Sequence, residues 1–183
     1  MFGSTLLTTV VAALFTSIVS ASPVARQGVT VELGWITNDK LGGAWTKMTQ
    51  GNSSAGVPIG ISPNTGGADI RQLFALYGDA SGDNTYTIIE LDTGNYVSTL
   101  QTTNSDTWSS GFEMLQTSTV AADNTVFKVS PGYDEGSWYI QPNTPSNTQL
   151  GWYSYDDPAA PFIPIILNEP LQEPDQSWTF HPL

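Results

Sequence analysis

Cysteine is absent from the 183 residues, and histidine occurs once, as His181, three residues from the end. The first absence removes disulfide staples, thiolate chemistry and cysteine metal sites. The second argues against a nucleophile–histidine triad and against a histidine-based zinc centre. Positive charge is also scarce: five Lys and Arg stand against 17 Asp and Glu, a formal net charge of −12. That balance repels phosphate backbones and anionic lipid, so neither nucleic acid nor a membrane surface is an expected partner. The adjacent acids Asp134-Glu135 and Asp156-Asp157 read as solvated turn residues, because a glycosidase pair comes from different strands facing a cleft. Oxygen-bearing residues cluster from Asp79 to Asn84, yet the EF-hand spacing is missing and a hairpin turn is the simpler reading. No enzyme, metal or cofactor is expected.

Long apolar runs are missing too, with one exception. Leu6 to Val19 is almost wholly apolar or small and ends in Val19-Ser20-Ala21, a pattern that signal peptidase accepts. It is too short to span a bilayer, and a polar chain follows at once. Residues 1–21 are therefore expected to be a secretory signal, Ser22 to Arg26 a possible short pro-segment, and residues 27–183 a single extracellular domain. That length supports a sizeable core without disulfides. One glycosylation sequon, Asn52-Ser53-Ser54, lies in a polar Gly/Ser stretch that reads as a surface loop.

What remains is β-forming. Gly, Pro, Asn, Asp, Ser and Thr interrupt short alternating runs such as Val29 to Leu33, Tyr86 to Leu91 and Val126 to Val129, and no uninterrupted helical period appears. The class is all-β, a sandwich or a barrel. Repeats favour the barrel. Asn84-Thr85-Tyr86-Thr87-Ile88 is echoed by Asn124-Thr125-Val126-Phe127-Lys128, and Pro58-Ile59-Gly60-Ile61 by Pro164-Ile165-Ile166-Leu167. An aromatic, a spacer and an apolar residue close each unit at Phe74, Phe112 and Trp178, with Gln72 and Gln176 two places before the first and last. Three four-stranded units follow, near 27–76, 84–115 and 124–180, the third enlarged by an insertion between Pro142 and Pro174.

The stretch from Gly56 to Phe74, with its apolar strand, Gly/Asn turn and Gln-x-aromatic closer, resembles the third and fourth strands of a ricin-B-type lectin repeat. Thr85 to Val97 resembles the opening of the next. The resemblance implies a β-trefoil and a carbohydrate or glycoprotein as partner. It also implies a sugar site made of an Asp, an aromatic platform and an amide. Those positions fall here on Thr46, Ser98 and Gln141 for the Asp, on Ser62 for the first platform and on Arg71 for the first amide, so no unit keeps the full set. A ligand site is therefore expected on the third unit, at Trp138, Gln141, Trp152, Tyr153 and Tyr155, where rings and amides cluster. The order Gly151-Trp152, Asp157-Pro158, Pro161-Phe162 and Pro164 to Leu167 resembles fungal β-trefoil protease inhibitors, which makes a protease the alternative partner.

Overall fold

Short alternating runs between turn residues become twelve strands. They are β1 (Thr30–Asn38), β2 (Gly43–Lys47), β3 (Ile59–Pro63), β4 (Phe74–Gly78), β5 (Thr85–Glu90) and β6 (Tyr96–Gln101) in the first half. The second half holds β7 (Glu113–Ser118), β8 (Val126–Pro131), β9 (Trp138–Pro142), β10 (Gln149–Trp152), β11 (Ile163–Asn168) and β12 (Ser177–Pro182). The computed structural model describes residues 30–38, 40–78, 83–101, 113–143, 148–152, 162–171 and 173–183, with backbone alone at Leu100, Gln101 and Trp152. The expected signal and pro-segment, the Asp79–Gly82 part of the turn, Trp108, Phe112, Tyr153 and Tyr155 lie outside the described residues.

Every pairing among these strands is antiparallel. β1 pairs with β4, β4 with β5, β5 with β8, β8 with β9, β9 with β12, and β12 returns to β1. The ring is closed, which removes the free strand edges that invite aggregation. The other strands form three hairpins, β2–β3, β6–β7 and β10–β11. Contacts from β11 to β3 and β7, with a bridge between Pro58 and Gln116, join the hairpins into a cap over one end. Barrel strand, hairpin, short 3-10 turn and barrel strand recur three times, over 30–78, 85–131 and 138–182. This is a β-trefoil.

The threefold repetition is clearest in the core. Ile36, Ile88 and Ile140 occupy equivalent places on the first barrel strand of each unit, and all are buried. Trp45, Val97 and Leu150 do so on the second strands, and Ile59, Leu115 and Ile165 on the third. The closing aromatics follow the 3-10 turns Ile70–Gln72, Asp123–Thr125 and Pro174–Gln176, and they are Phe74, Phe127 and Trp178, each fully buried. Phe127 thus takes the role expected of Phe112. The closers are then almost evenly spaced, and the third unit is not the longest. The similarity of Asn84–Ile88 to Asn124–Lys128 has another cause: Tyr86 pairs with Phe127 and Thr85 with Lys128, so these strands are partners within one unit rather than copies. The likeness of Ile59-Gly60-Ile61 to Ile165-Ile166-Leu167 does mark equivalent strands, which meet at Gly60 and Pro164.

The open end of the barrel is plugged by rings. Trp138 stacks on Tyr86 and on Phe180, with centroids 6.1 Å apart in both pairs. The equivalent of Tyr86 and Trp138 in the first unit is Gly34, where an added Cβ would collide with the His181 carbonyl and come within 2.8 Å of the Phe180 ring. Two large residues fill the mouth only because the third is glycine. Gly34→Ala should therefore cost about 1–3 kcal/mol as overpacking, read as a lowered denaturation midpoint.

Candidate functional site

Between β3 and β4 of the first unit, the chain makes a tight loop that the Gln72 side chain holds from beneath. Gln72 is fully buried. Its Nε2 donates to Thr46 Oγ1 at 3.0 Å, Ser62 Oγ at 3.1 Å and the Pro63 carbonyl at 2.9 Å. Its Oε1 accepts from the Thr65 backbone at 3.0 Å and the Thr65 hydroxyl at 2.7 Å. A buried amide satisfied on both sides fixes the loop. Gly66 and Gly67, at φ 63° and 79°, supply the left-handed turn that brings the chain back. The same device recurs in the third unit, where Gln176 donates to the Glu169 carbonyl at 2.8 Å and accepts from Leu171 N at 2.8 Å. In the second unit Thr125 stands in that place and bonds only Ala122, through both its N–H and its carbonyl. The motif residues Gln72 and Gln176 are thus scaffold.

Above this scaffold lies an open cleft of about 420 Å³ lined by Gln50, Thr65, Ala68, Asp69, Ile70 and Arg71. Asp69 caps the 3-10 turn by accepting from Arg71 N at 3.0 Å. The Arg71 guanidinium folds back on the same carboxylate, with Nε 3.0 Å from Oδ1 and Nη2 2.6 Å from Oδ2. The Asp69 side chain is 21% exposed and that of Arg71 35%, so the pair faces solvent without being fully in it. The Arg71 side-chain hydrogen bond, outweighing burial, holds the Asp69 carboxyl below the usual carboxylate range. Its folded pKa being depressed, the pair's modest stabilisation is complete above the ordinary Asp range and lost only as pH falls through the lowered value. Carboxylate, guanidinium, hydroxyl and amide together suit a ligand rich in paired hydroxyls. No ring lies among the described residues that line the cleft. Trp35 packs against Gly67 of this loop and stacks on His181 with centroids 5.3 Å apart.

Of the residues expected to form a ligand site on the third unit, Trp138 and Gln141 are the two whose side chains are described. Trp138 is half-buried and stacks on Tyr86 and on Phe180, so its ring takes part in packing the barrel mouth. Gln141 is an odd number of positions along the same strand and points to the opposite face, outside the barrel beside its partner Lys128. Trp152 ends β10 opposite Ile165, and Tyr153 and Tyr155 lie outside the described residues. The register also moves one expected position: the third-unit equivalent of Thr46 and Ser98 is Gly151, next to Leu150, rather than Gln141. Asp69 was missed in the sequence. The available signal was its place two residues before Arg71 at the start of a turn.

No protein-family model matches the sequence, and no curated protein matches it. Solved structures do resemble it. The Rhizoctonia solani agglutinin is 18% identical, with a TM-score of 0.64 over 88% of this chain and 100% of its own. The Macrolepiota procera ricin B-like lectin, solved in complex with lactose, is 17% identical, with a TM-score of 0.60 over 88% of this chain and 100% of its own. ThreeFoil, a designed threefold-symmetric protein, is 16% identical, with a TM-score of 0.62 over 82% of this chain and 99% of its own. What these proteins share with the chain is its architecture, and the fold is that of the ricin B-like lectins, a β-trefoil.

Proposed function

We propose that this chain is an exported, non-catalytic carbohydrate-binding protein of lectin type, and that it grips sugar hydroxyls at the cleft of its first unit. The observation that carries this reading is the Asp69–Arg71 pair, set on a loop fixed by buried Gln72 and flanked by Thr65 and Gln50. A pre-ordered set of charged and neutral donors and acceptors loses little entropy on meeting a polyol. The lactose complex of the Macrolepiota procera lectin supports the ligand class by analogy of fold. Without a stacking ring among the cleft residues the site would bind weakly, as single lectin sites often do.

The test is a glycan array with the full chain, repeated with Arg71→Ala and with Trp152→Ala. Hydrogen bonds to a charged group are each worth about 1.5–3 kcal/mol, so Arg71→Ala should weaken binding roughly 10- to 100-fold. Its effect on stability should stay within about 1 kcal/mol, because the ion pair is partly exposed. Loss of binding in Trp152→Ala alone would move the site to the third unit. A flat array combined with inhibition of a serine or cysteine protease panel would replace the lectin reading with the inhibitor one.

A further inference from the structure

We propose that Asn52 is an acceptor for an N-linked glycan. Asn52-Ser53-Ser54 is the only Asn-X-Ser/Thr triplet in the sequence with X other than proline. It sits on the loop between β2 and β3, where Gly51 and residues 53–56 are exposed and Asn52 is partly so. Asn52 Oδ1 accepts from Ser54 N at 3.0 Å, which turns the amide oxygen onto its own loop. Nδ2, the atom that carries a glycan, makes no hydrogen bond among the described residues.

The rest of the loop is held by bonds that leave the acceptor alone. Asn95 Nδ2 donates to the Ser53 carbonyl at 3.0 Å, Thr117 Oγ1 to the Ser54 carbonyl at 2.9 Å, and Gly56 N to the Thr117 carbonyl at 2.7 Å. Gly51 and Gly56, at φ 67° and 80°, turn the chain out and back. All three bonds use backbone carbonyls, and none uses Asn52 Nδ2 or the Ser54 hydroxyl. A bulky group on Nδ2 therefore meets solvent and breaks no contact of the fold. Gln50, which lines the cleft, is two residues away in the chain.

The chemistry requires a co-reactant of one class, an oligosaccharide carried on a lipid diphosphate. Nδ2 bonds to its anomeric carbon, the anomeric C–O bond to the diphosphate breaks, the lipid diphosphate leaves with the electron pair, and Nδ2 releases one proton. The apolar Leu6 to Val19 segment is what is expected to bring the chain to that donor. The inference is independent of the lectin reading, because it concerns what the chain carries rather than what it binds.

Expression of the full chain with its own leader in a eukaryotic secretory host tests it. The expected result is a polypeptide of raised intact mass whose excess is removed by peptide-N-glycosidase, leaving aspartate at position 52. Asn52→Gln should lack the excess. Ser54→Ala, which keeps Asn52 and its turn, should lack it as well, with an unchanged circular dichroism spectrum. An unmodified chain, whether exported or retained, overturns the proposal, and so does an excess that persists in both variants.

Discussion

Phe127→Ala lowers the unfolding free energy by about 3–5 kcal/mol, and Trp178→Ala does so by a similar amount. Both rings are fully buried at equivalent places under the cap, as is Phe74. Trp178 adds specific contacts: its indole Nε1 donates to the Leu150 carbonyl at 3.1 Å, and its ring meets Trp45 edge-on at 5.5 Å. Trp45 in turn meets Phe74 at 5.9 Å, so rings of the first and third units meet directly, and Phe127 of the second lies in the same core cluster. Truncating any member leaves a cavity that strands on all sides of a closed barrel cannot collapse to fill. Urea or guanidinium denaturation followed by tryptophan fluorescence measures the loss. A cost below about 1 kcal/mol for Phe127→Ala would contradict its assignment as the second closer.

A comparable loss is expected from Lys47→Met, for an electrostatic reason. Lys47 is fully buried, and its ammonium lies 3.3 Å from Glu90 Oε1, 2.9 Å from Asp92 Oδ2 and 3.0 Å from Thr93 Oγ1. Glu90 also accepts from the backbone N–H groups of Thr93 and Asn95 and so closes the β5–β6 turn. One positive charge thus ties the first unit to two carboxylates of the second. Removing it leaves Glu90 buried without a counter-charge, at a cost of about 3–5 kcal/mol. The double variant Lys47→Met/Glu90→Gln should recover part of that loss, since glutamine keeps the turn-closing oxygen without the charge. Additive losses in this double-mutant cycle would show that Lys47 acts by packing alone.

The equivalent of Glu90 in the first unit explains why no sequence repeat betrays this joint. Asn38 occupies that place, accepts from Leu41 N at 3.2 Å and donates to the Asp175 and Ser177 carbonyls at 3.2 and 2.9 Å. Both side chains close the same turn with an oxygen. Asparagine brings its own donors to the neighbouring unit, whereas glutamate must borrow a lysine. Equivalent roles are filled by different chemistry, and a pattern search for identical residues passes over them.

The class and the threefold plan were legible in the sequence because they rest on local signals: alternation along strands, turn residues between them, and the Gln-x-aromatic closers. Gln72 and Gln176 were correctly paired, since each bonds loop backbone a few residues upstream of it. Phe127 was not recognised as a closer, because Thr125 replaces the glutamine and the neighbouring run looks like a barrel strand, which it is. The candidate site was less legible still. Trp138 and Gln141 are close in sequence and both suited to sugar, but strand alternation sends one into the barrel mouth and the other outside.

The sequence by itself therefore determined an all-β chain of three units, an acidic composition and the absence of thiol chemistry, because composition and period suffice for these. Only the tertiary structure decided which rings are core and which polar groups meet. Trp138 stacks on Tyr86 and Phe180, which come from strands paired with β8 and β1 and are distant in sequence. Lys47 met Glu90 and Asp92 across the boundary of two units. Arg71 was drawn onto Asp69 by the 3-10 turn, whose loop the buried Gln72 amide holds in place. Closure of the barrel sets the first two of these contacts, and closure depends on pairings between strands far apart in the chain.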